Sequence, residues 1–135
     1  MNTQLEVAMT AGGTIRPNRF VKASTAADNT ALEADANEAV IGVATNANND
    51  AFTSDNHAIA GQSVTVRFGV AFVEAGGAIT RGGRVKSDAD GKAVAVATSG
   101  TTNQESAGTA LESASGDGAI IKVFINPQVI RPAVA

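Results

Sequence analysis

The sequence contains no cysteine, no tryptophan and no tyrosine, and it has a single histidine and three prolines. Without cysteine there is no disulfide bond and no thiolate metal site, so the fold must be held by noncovalent contacts alone. Tryptophan and tyrosine are the side chains that most often stack on sugar rings, and both are missing. These absences disfavour a disulfide-stabilised domain and a sugar-stacking module.

Positive charge is also scarce. The ten basic residues are scattered among thirteen acidic ones, which gives a formal net charge of -3. Proteins that bind nucleic acid need clustered lysine and arginine to displace counterions, so we predict no nucleic-acid partner. The sequence has no run of about 18 apolar residues and no basic start followed by an apolar stretch. We therefore expect a soluble chain with no membrane partner and no export signal of its own.

What is present is a domain-sized chain with small apolar side chains. The 135 residues are 44% hydrophobic, but much of that fraction is alanine and valine, with five phenylalanines. A chain of this length forms one domain with its own core. Because small side chains give a thin core, we expect part of the stability to come from assembly with identical copies or with a larger surface.

The hydrophobic pattern predicts an all-β fold. About eight short strands follow one another at regular spacing with turn signals between them, which is typical of a compact small barrel or sandwich. Residues 62–68 alternate cleanly between apolar and polar, and Gly69 predicts a bend before a second strand in which Val70 and Phe72 share a face. For residues 24–39 we favour a short strand and a polar loop, with one helical turn as the alternative.

We predict three segments along the chain: an N-terminal arm at 1–13, a β-domain at 14–127 and a C-terminal tail at 128–135. Leu5, Val7 and Met9 alternate with polar or small residues, so the first segment is read as an arm that orders on a neighbour, or else as an edge strand or a frayed end. Deleting residues 1–12 should then leave the domain folded. In the tail, Val129 and Ile130 would be wasted in solvent, which favours a contact.

The strongest strand signal lies in residues 108–127. Ser115-Gly116-Asp117-Gly118 predicts a hairpin turn. After it, one face of a strand carries three apolar side chains and the other face is also largely apolar, so we expect a central strand that is covered on each side by its own chain or by a neighbouring one. We expect Pro127 to end this strand, because proline lacks a backbone donor. The two faces consist of Ile121, Val123 and Ile125, and of Ile120, Lys122 and Phe124.

The residues that could support chemistry are isolated. His57 is the only histidine, and the chain has no Gly-x-Ser-x-Gly nucleophile elbow, so we interpret it as a loop residue. Asp88-Ala-Asp-Gly91 resembles the start of a calcium loop, but Lys92 occupies the next ligand position and the closing glutamate is missing. We interpret it as a plain turn that joins two strands into a hairpin. We predict no catalytic residue, no cofactor and no metal site. A hydrolase with two carboxylates stays open as an alternative, because some pair among thirteen acidic residues must lie close together, although nothing in the sequence marks such a pair.

A modest basic cluster comprises Arg81, Arg84 and Lys86, next to flexible glycines. It is either a solvated hairpin face or a docking contact for an acidic surface.

Two stretches resemble a known protein family. The run Gly108-Thr-Ala-Leu-Glu-Ser-Ala-Ser-Gly-Asp-Gly118, leading into Ile-Ile-Lys-Val-Phe-Ile, is similar to the closing hairpin of the small capsid cement, or head decoration, proteins of tailed bacteriophages. A second matching stretch upstream is Gly77-Ala-Ile-Thr-Arg-Gly-Gly-Arg-Val-Lys-Ser-Asp-Ala-Asp-Gly-Lys-Ala-Val94. Together the two cover about the C-terminal half, in the order found in the family.

The resemblance implies a structural virion protein. Proteins of this family are made in the host cytoplasm, bind the outside of the expanded capsid, commonly as homotrimers, and stabilise it by clamping neighbouring subunits of the major capsid protein. The competing hypothesis is a carbohydrate-binding or adhesin-like sandwich on the virion surface. Residues that we expect at a capsid or subunit interface are Leu5, Val7, Met9, Arg81, Arg84, Val129 and Ile130.

Overall fold

A computed structural model describes residues 5–45 and 57–131 and shows an all-β protein in that part of the chain. The strands are short, as the closely spaced turn signals predict, and there are ten of them where about eight were expected. They are β1 Glu6–Ala11, β2 Arg19–Ala23, β3 Thr30–Glu33, β4 Gly42–Ala44, β5 Ser63–Arg67, β6 Val70–Glu74, β7 Arg84–Ser87, β8 Ala93–Ala95, β9 Gln104–Ala110 and β10 Ile120–Ile130.

The first five strands form a closed barrel in the order β1-β3-β2-β4-β5. Strand β1 closes it, because it pairs antiparallel with β5 on one side and parallel with β3 on the other. Closure leaves no free strand edge in this region. The predicted strand at 62–68 corresponds to β5, with Val64 and Val66 buried as the alternation requires. The predicted short strand within 24–39 corresponds to β3.

The last five strands form an open sheet, here called the second sheet, in the order β6-β10-β9-β7-β8. Strand β10 is central, as predicted, and pairs antiparallel with β6 and with β9. Its side with Ile120, Lys122 and Phe124 was expected to be covered but is exposed in the described structure. The hairpin predicted around Asp88–Gly91 is confirmed as the β7–β8 pair. Among the described residues, the outer edge of β8 is covered at Ala93, whose carbonyl accepts a hydrogen bond from the N–H of Gly76.

Two cores fill the molecule. One lies inside the barrel and is built mainly from alanine and valine around Ile15. The other lies between the barrel and the second sheet. Its central side chain is Phe20, which belongs to barrel strand β2 but is fully buried against residues of the second sheet such as Val73, Val85 and Val123. Burial of Phe20 therefore ties the two regions together.

Close backbone approach explains one glycine in the second sheet. A Cβ atom at Gly108 would lie 2.0 Å from the carbonyl oxygen of Phe124 on the neighbouring strand. No side chain fits there, so the contact between β9 and β10 requires glycine.

The prediction of an N-terminal arm is wrong for residues 6–11, which form β1 inside the barrel of the same chain. Ala11 is fully buried, and Val7 and Met9 are half-buried against the barrel core. The arm interpretation underestimated the alternation of Leu5, Val7 and Met9, which is that of a barrel strand with one inward face. Removing residues 1–12 would remove a barrel strand.

The prediction that Pro127 ends the last strand is also wrong. Strand β10 continues to Ile130, so the expected tail at 128–135 begins inside a strand. The register between β10 and β9 shifts between Ile125 and Gln128, which places Pro127 at a β-bulge. A bulge leaves one residue out of the ladder, and a proline without an N–H is tolerated there.

Candidate functional site

The outward side of strands β6 and β10 carries an exposed apolar surface, which we call the apolar face. Paired residues in the antiparallel ladder lie on the same side of a sheet, and Phe124 is opposite Val70 while Lys122 is opposite Phe72. Ile120 lies two residues before Lys122 on the same side. The apolar face therefore consists of Val70, Phe72, Ile120 and Phe124.

The apolar face exposes two aromatic side chains, one on the edge strand β6 and one on the central strand β10. Phe72 is 52% exposed and Phe124 is 45% exposed, although the alternate residues of both strands are buried in the core. The ammonium group of Lys122 lies 5.9 Å from the centre of the Phe72 ring, close enough for a cation–π contact. Contiguous apolar surface of this kind marks an interaction site more often than scattered exposed residues do.

Of the interface residues predicted at the N terminus, only Leu5 borders the apolar face. Its side chain lies beside Gly69, immediately before β6, and its carbonyl accepts a hydrogen bond from the N–H of Phe68. Val7 and Met9 pack against the barrel core and are not part of this surface.

A second candidate surface is a groove of about 430 Å³ at the edge of the second sheet, beyond the end of β8; we call it the edge groove. It brings together two of the predicted interface residues, Arg84 and Ile130, which are 46 positions apart in the sequence. The other lining residues are mostly small or apolar: Ala78, Ile79, Thr80, Gly83, Ala95, Val96, Ala97, Thr98 and Arg131.

The guanidinium of Arg84 is fixed by three neutral oxygens. Its Nε donates to Ser106 Oγ at 2.8 Å, Nη1 to Thr109 Oγ1 at 3.1 Å and Nη2 to the carbonyl of Asn126 at 2.8 Å. Partial burial lowers the pKa of Arg84 from its ordinary value, since the charged form loses hydration.

The other predicted interface residues lie elsewhere. Arg81 is exposed and donates from its backbone N–H and its Nε to Ser113 Oγ, so it does not join Arg84 in the edge groove. Val129 is exposed on β10. Lys86, the third member of the basic cluster, donates to Gln104 Oε1 on β9. The cluster is therefore divided among three separate sets of partners.

A group of charged side chains joins the barrel to the second sheet. Lys92 Nζ lies 2.8 Å from Asp117 Oδ1 and 3.1 Å from Glu74 Oε2, and Arg19 of β2 reaches the same Glu74 oxygen at 3.3 Å. The hydrogen bond to Asp117, followed by that to Glu74, raises the pKa of Lys92. These charges satisfy one another and hold the turn at 115–118 against the β7–β8 hairpin, so we assign them a structural role.

Two residues considered for chemistry, Asp88 and His57, lie in a turn and beside a β-bridge. Asp88 Oδ1 accepts hydrogen bonds from the backbone N–H groups of Asp90 and Lys92, which makes 88–91 a turn and confirms that interpretation. His57 is half-buried and precedes Ala58, which bridges to Ile15. Residues 5–45 and 57–131 contain no group of three or more potential metal ligands and no helix long and apolar enough to cross a membrane.

The sequence-based list of interface residues missed the apolar face. Its signal was present, since Val70 and Phe72 were expected to share one side and Phe124 was placed on the second apolar side of β10. The sequence does not show that β6 is the ladder neighbour of β10. This pairing places the apolar side chains of the two strands on one continuous surface.

No family model matches the sequence, and no curated protein matches it. A solved structure with a similar fold is the crystal structure of the N base of the head fiber gp8.5 in bacteriophage phi29, with a TM-score of 0.65 and 20% sequence identity. The match covers 90% of this chain and 92% of that chain. At this level of identity the likeness establishes the fold, which the two proteins share over almost their whole lengths.

Proposed function

We propose that this chain is a structural virion protein that binds the outer surface of an expanded bacteriophage capsid and stabilises it by clamping neighbouring subunits of the major capsid protein. The observation that carries the proposal is the fold shared with the base of a phage head fiber across 90% of the chain. The sequence resemblance to capsid decoration proteins is an independent argument, because it depends on residues 77–94 and 108–125.

The structure adds a physical reason for attachment. Both resembling stretches lie mainly in the second sheet, and that sheet carries the apolar face and the edge groove. An exposed pair of phenylalanines on neighbouring strands lowers solubility, and burying them against a partner would recover about 1 kcal/mol or more for each ring. Many identical weak contacts on a symmetric shell sum to firm attachment. We propose that the chain binds as a homotrimer, which multiplies these contacts threefold.

The test is co-sedimentation of the purified protein with undecorated mature heads and with unexpanded precursor shells, with bound copies counted per capsid subunit. We expect saturable binding to mature heads and none to precursors. A variant with both Phe72→Ser and Phe124→Ser should remain folded and lose at least about tenfold in affinity.

Ile59→Ser is the matched control, because Ile59 is a similarly exposed apolar residue, at 51%, outside the second sheet. It should bind as the parent protein does. Equal loss in both variants would assign the effect to general surface polarity, and absence of binding to either kind of shell would refute the proposed function. Sedimentation equilibrium of the free protein tests the trimer.

The exposed phenylalanines also support carbohydrate binding as a second candidate function, since aromatic rings on a sheet face can stack on sugars. Specific glycan binding that is abolished by Phe72→Ser, together with no binding to heads, would favour that function instead.

A further inference from the structure

Arg84 differs from three other partly buried cations of the described structure. Arg16, Lys22 and Lys92 each have a carboxylate oxygen within salt-bridge distance, and in each case that carboxylate raises the pKa of the cation. The pKa of Arg84 is lowered, and burial is the cause. Within residues 5–45 and 57–131, its recorded partners are neutral oxygens. No anion among the residues that the structure describes therefore offsets the energetic cost of partly burying this charge.

The guanidinium of Arg84 still has free donors that could bind an anion. A guanidinium has five N–H donors, and the three recorded hydrogen bonds use one on each nitrogen. One N–H therefore remains on Nη1 and one on Nη2, the pair that binds both oxygens of a carboxylate. The three existing bonds hold the group in place, so an incoming anion would not have to immobilise a free side chain. Arg131 lines the same groove and adds a second positive charge.

The remainder of the edge groove suits short aliphatic side chains. Ile79 forms part of its lining and also belongs to the core between barrel and second sheet. The wall formed by residues 95–98 continues from β8, an edge strand whose outer side is covered at Ala93 and not recorded as paired beyond it. An open strand edge beside apolar pockets is the arrangement that binds extended peptide segments. The volume of about 430 Å³ falls in the range of ligand sites.

We infer that the edge groove binds an extended peptide segment of a partner protein, and that this segment carries a carboxylate side chain between small apolar side chains. The carboxylate pairs with Arg84, and the flanking side chains lie against Ile79 and the 95–98 wall. The identity of the partner as the major capsid protein rests on the proposed function; the recognition chemistry does not.

The experiment is a titration of the ¹⁵N-labelled full chain, followed by NMR, with two short probes: acetyl-Ala-Val-Asp-Val-Ala-amide and its Asn counterpart. We expect the acidic peptide to shift the amide signals of Ile79 and residues 95–98 in a saturable manner. The Asn peptide should bind about tenfold more weakly, because it cannot form the charged pair. Arg84→Gln should remove the difference between the peptides.

Arg81→Gln is the control, because it removes the same charge three positions away in the sequence. Arg81 donates to Ser113 and does not line the groove. It should preserve the preference for the acidic peptide. Arg84→Lys keeps the charge without the paired donors and should bind the acidic peptide with intermediate affinity, which separates recognition from loss of folding. Its unchanged spectrum would show that the fold persists.

Equal affinity for the two peptides, or shifts confined to Val70, Phe72 and Phe124, would overturn the inference. Shifts of residues 95–98 that appear on concentrating the protein without peptide would assign the groove to a second copy and also overturn it. Peptide binding without capsid binding would leave this inference standing while the proposed function fails, and the reverse result would do the opposite.

Discussion

The barrel and the second sheet contain five strands each, but they differ in how much of their surface is left unsatisfied. In the barrel every strand has two ladder neighbours, and the outward Phe20 of β2 is covered by the rest of the protein. In the second sheet, β8 has an open edge, and the neighbouring strands β6 and β10 expose Phe72 and Phe124. The exposed apolar surface and the open strand edge are therefore concentrated in the second sheet, where the proposed function requires a contact with a partner.

The largest effect is expected from removing the strand that closes the barrel. Deletion of residues 1–12 removes β1, leaves β3 and β5 without a shared neighbour and opens the core around Ile15. Because a domain is stable by only about 5–15 kcal/mol, the loss of one barrel strand should abolish cooperative folding. Thermal unfolding followed by circular dichroism measures this.

Leu5→Ser serves as the comparison for that deletion, since Leu5 is exposed and precedes β1. It should unfold close to the parent midpoint. If the deletion variant instead retained a cooperative transition at the parent temperature, residues 6–11 would be an arm after all, and the barrel would not depend on closure.

A methyl group at Gly108 should be the most damaging single substitution in the second sheet. The new Cβ would lie 2.0 Å from the Phe124 carbonyl oxygen, so β9 and β10 would have to separate. We expect Gly108→Ala to cost about 3 kcal/mol or more in urea unfolding. Gly77→Ala, where nothing lies within 4 Å, should cost less than about 1 kcal/mol. Similar costs at the two sites would mean that the strands adjust to the methyl group.

Substitutions of Phe20 on β2 and Phe124 on β10 distinguish a core residue from a residue of the apolar face. Phe20→Ala should destabilise the isolated chain by about 3–5 kcal/mol, because Phe20 is fully buried at the contact between the two regions. Phe124→Ala should cost about 1 kcal/mol or less, since its ring is 45% exposed. A loss of more than 3 kcal/mol for Phe124→Ala in a monomer would show that its ring packs against the chain and is not available to a partner.

The smallest effect concerns pH. The hydrogen bond from Lys22 lowers the pKa of Glu38 below its ordinary value of 4.5. Glu38 therefore binds a proton less readily in the folded state than in the unfolded state. Its stabilising contribution is complete above about pH 5 and is lost as the pH falls through 4.5 towards the folded-state pKa. Because the side chain of Glu38 is 36% exposed, solvent screening keeps the contribution small.

Glu38→Gln should therefore make the decline of unfolding free energy between pH 5 and pH 3 shallower, as measured by urea titration at each pH. The pKa of Asp117 is likewise lowered, by the hydrogen bond from Lys92. Asp117→Asn should therefore also make this decline shallower. A steeper decline in either variant would contradict the assignment of that ion pair.

Local patterns were enough to predict the all-β class and the sides of individual strands. Ile121, Val123 and Ile125 are buried on β10 and their alternate neighbours are exposed, as a period of two requires. The β7–β8 hairpin was equally accessible, because the turn residues that specify it are adjacent in sequence.

Pairings between distant segments could not be predicted in this way. The parallel ladder between β1 and β3 makes the first segment a barrel strand, yet the sequence of residues 6–11 does not indicate which strands it pairs with. The edge groove is assembled from four separated stretches around residues 80, 84, 96 and 130, so only Arg84 and Ile130 were anticipated there, and for different reasons. Periodicity reports which way a side chain points, while the pairing order decides what it meets.

The pairing order also has a consequence for synthesis of the protein. All five barrel strands lie within residues 6–67, so the barrel can close while the rest of the chain is still in the ribosome. In contrast, the ladder neighbour that the described strands give β6 is β10, which begins 46 residues after β6 ends. The backbone of β6 therefore stays unpaired until β10 has been synthesised. This interval is when an unpaired edge is most exposed to aggregation. Folding yield should therefore depend on translation speed between the two strands.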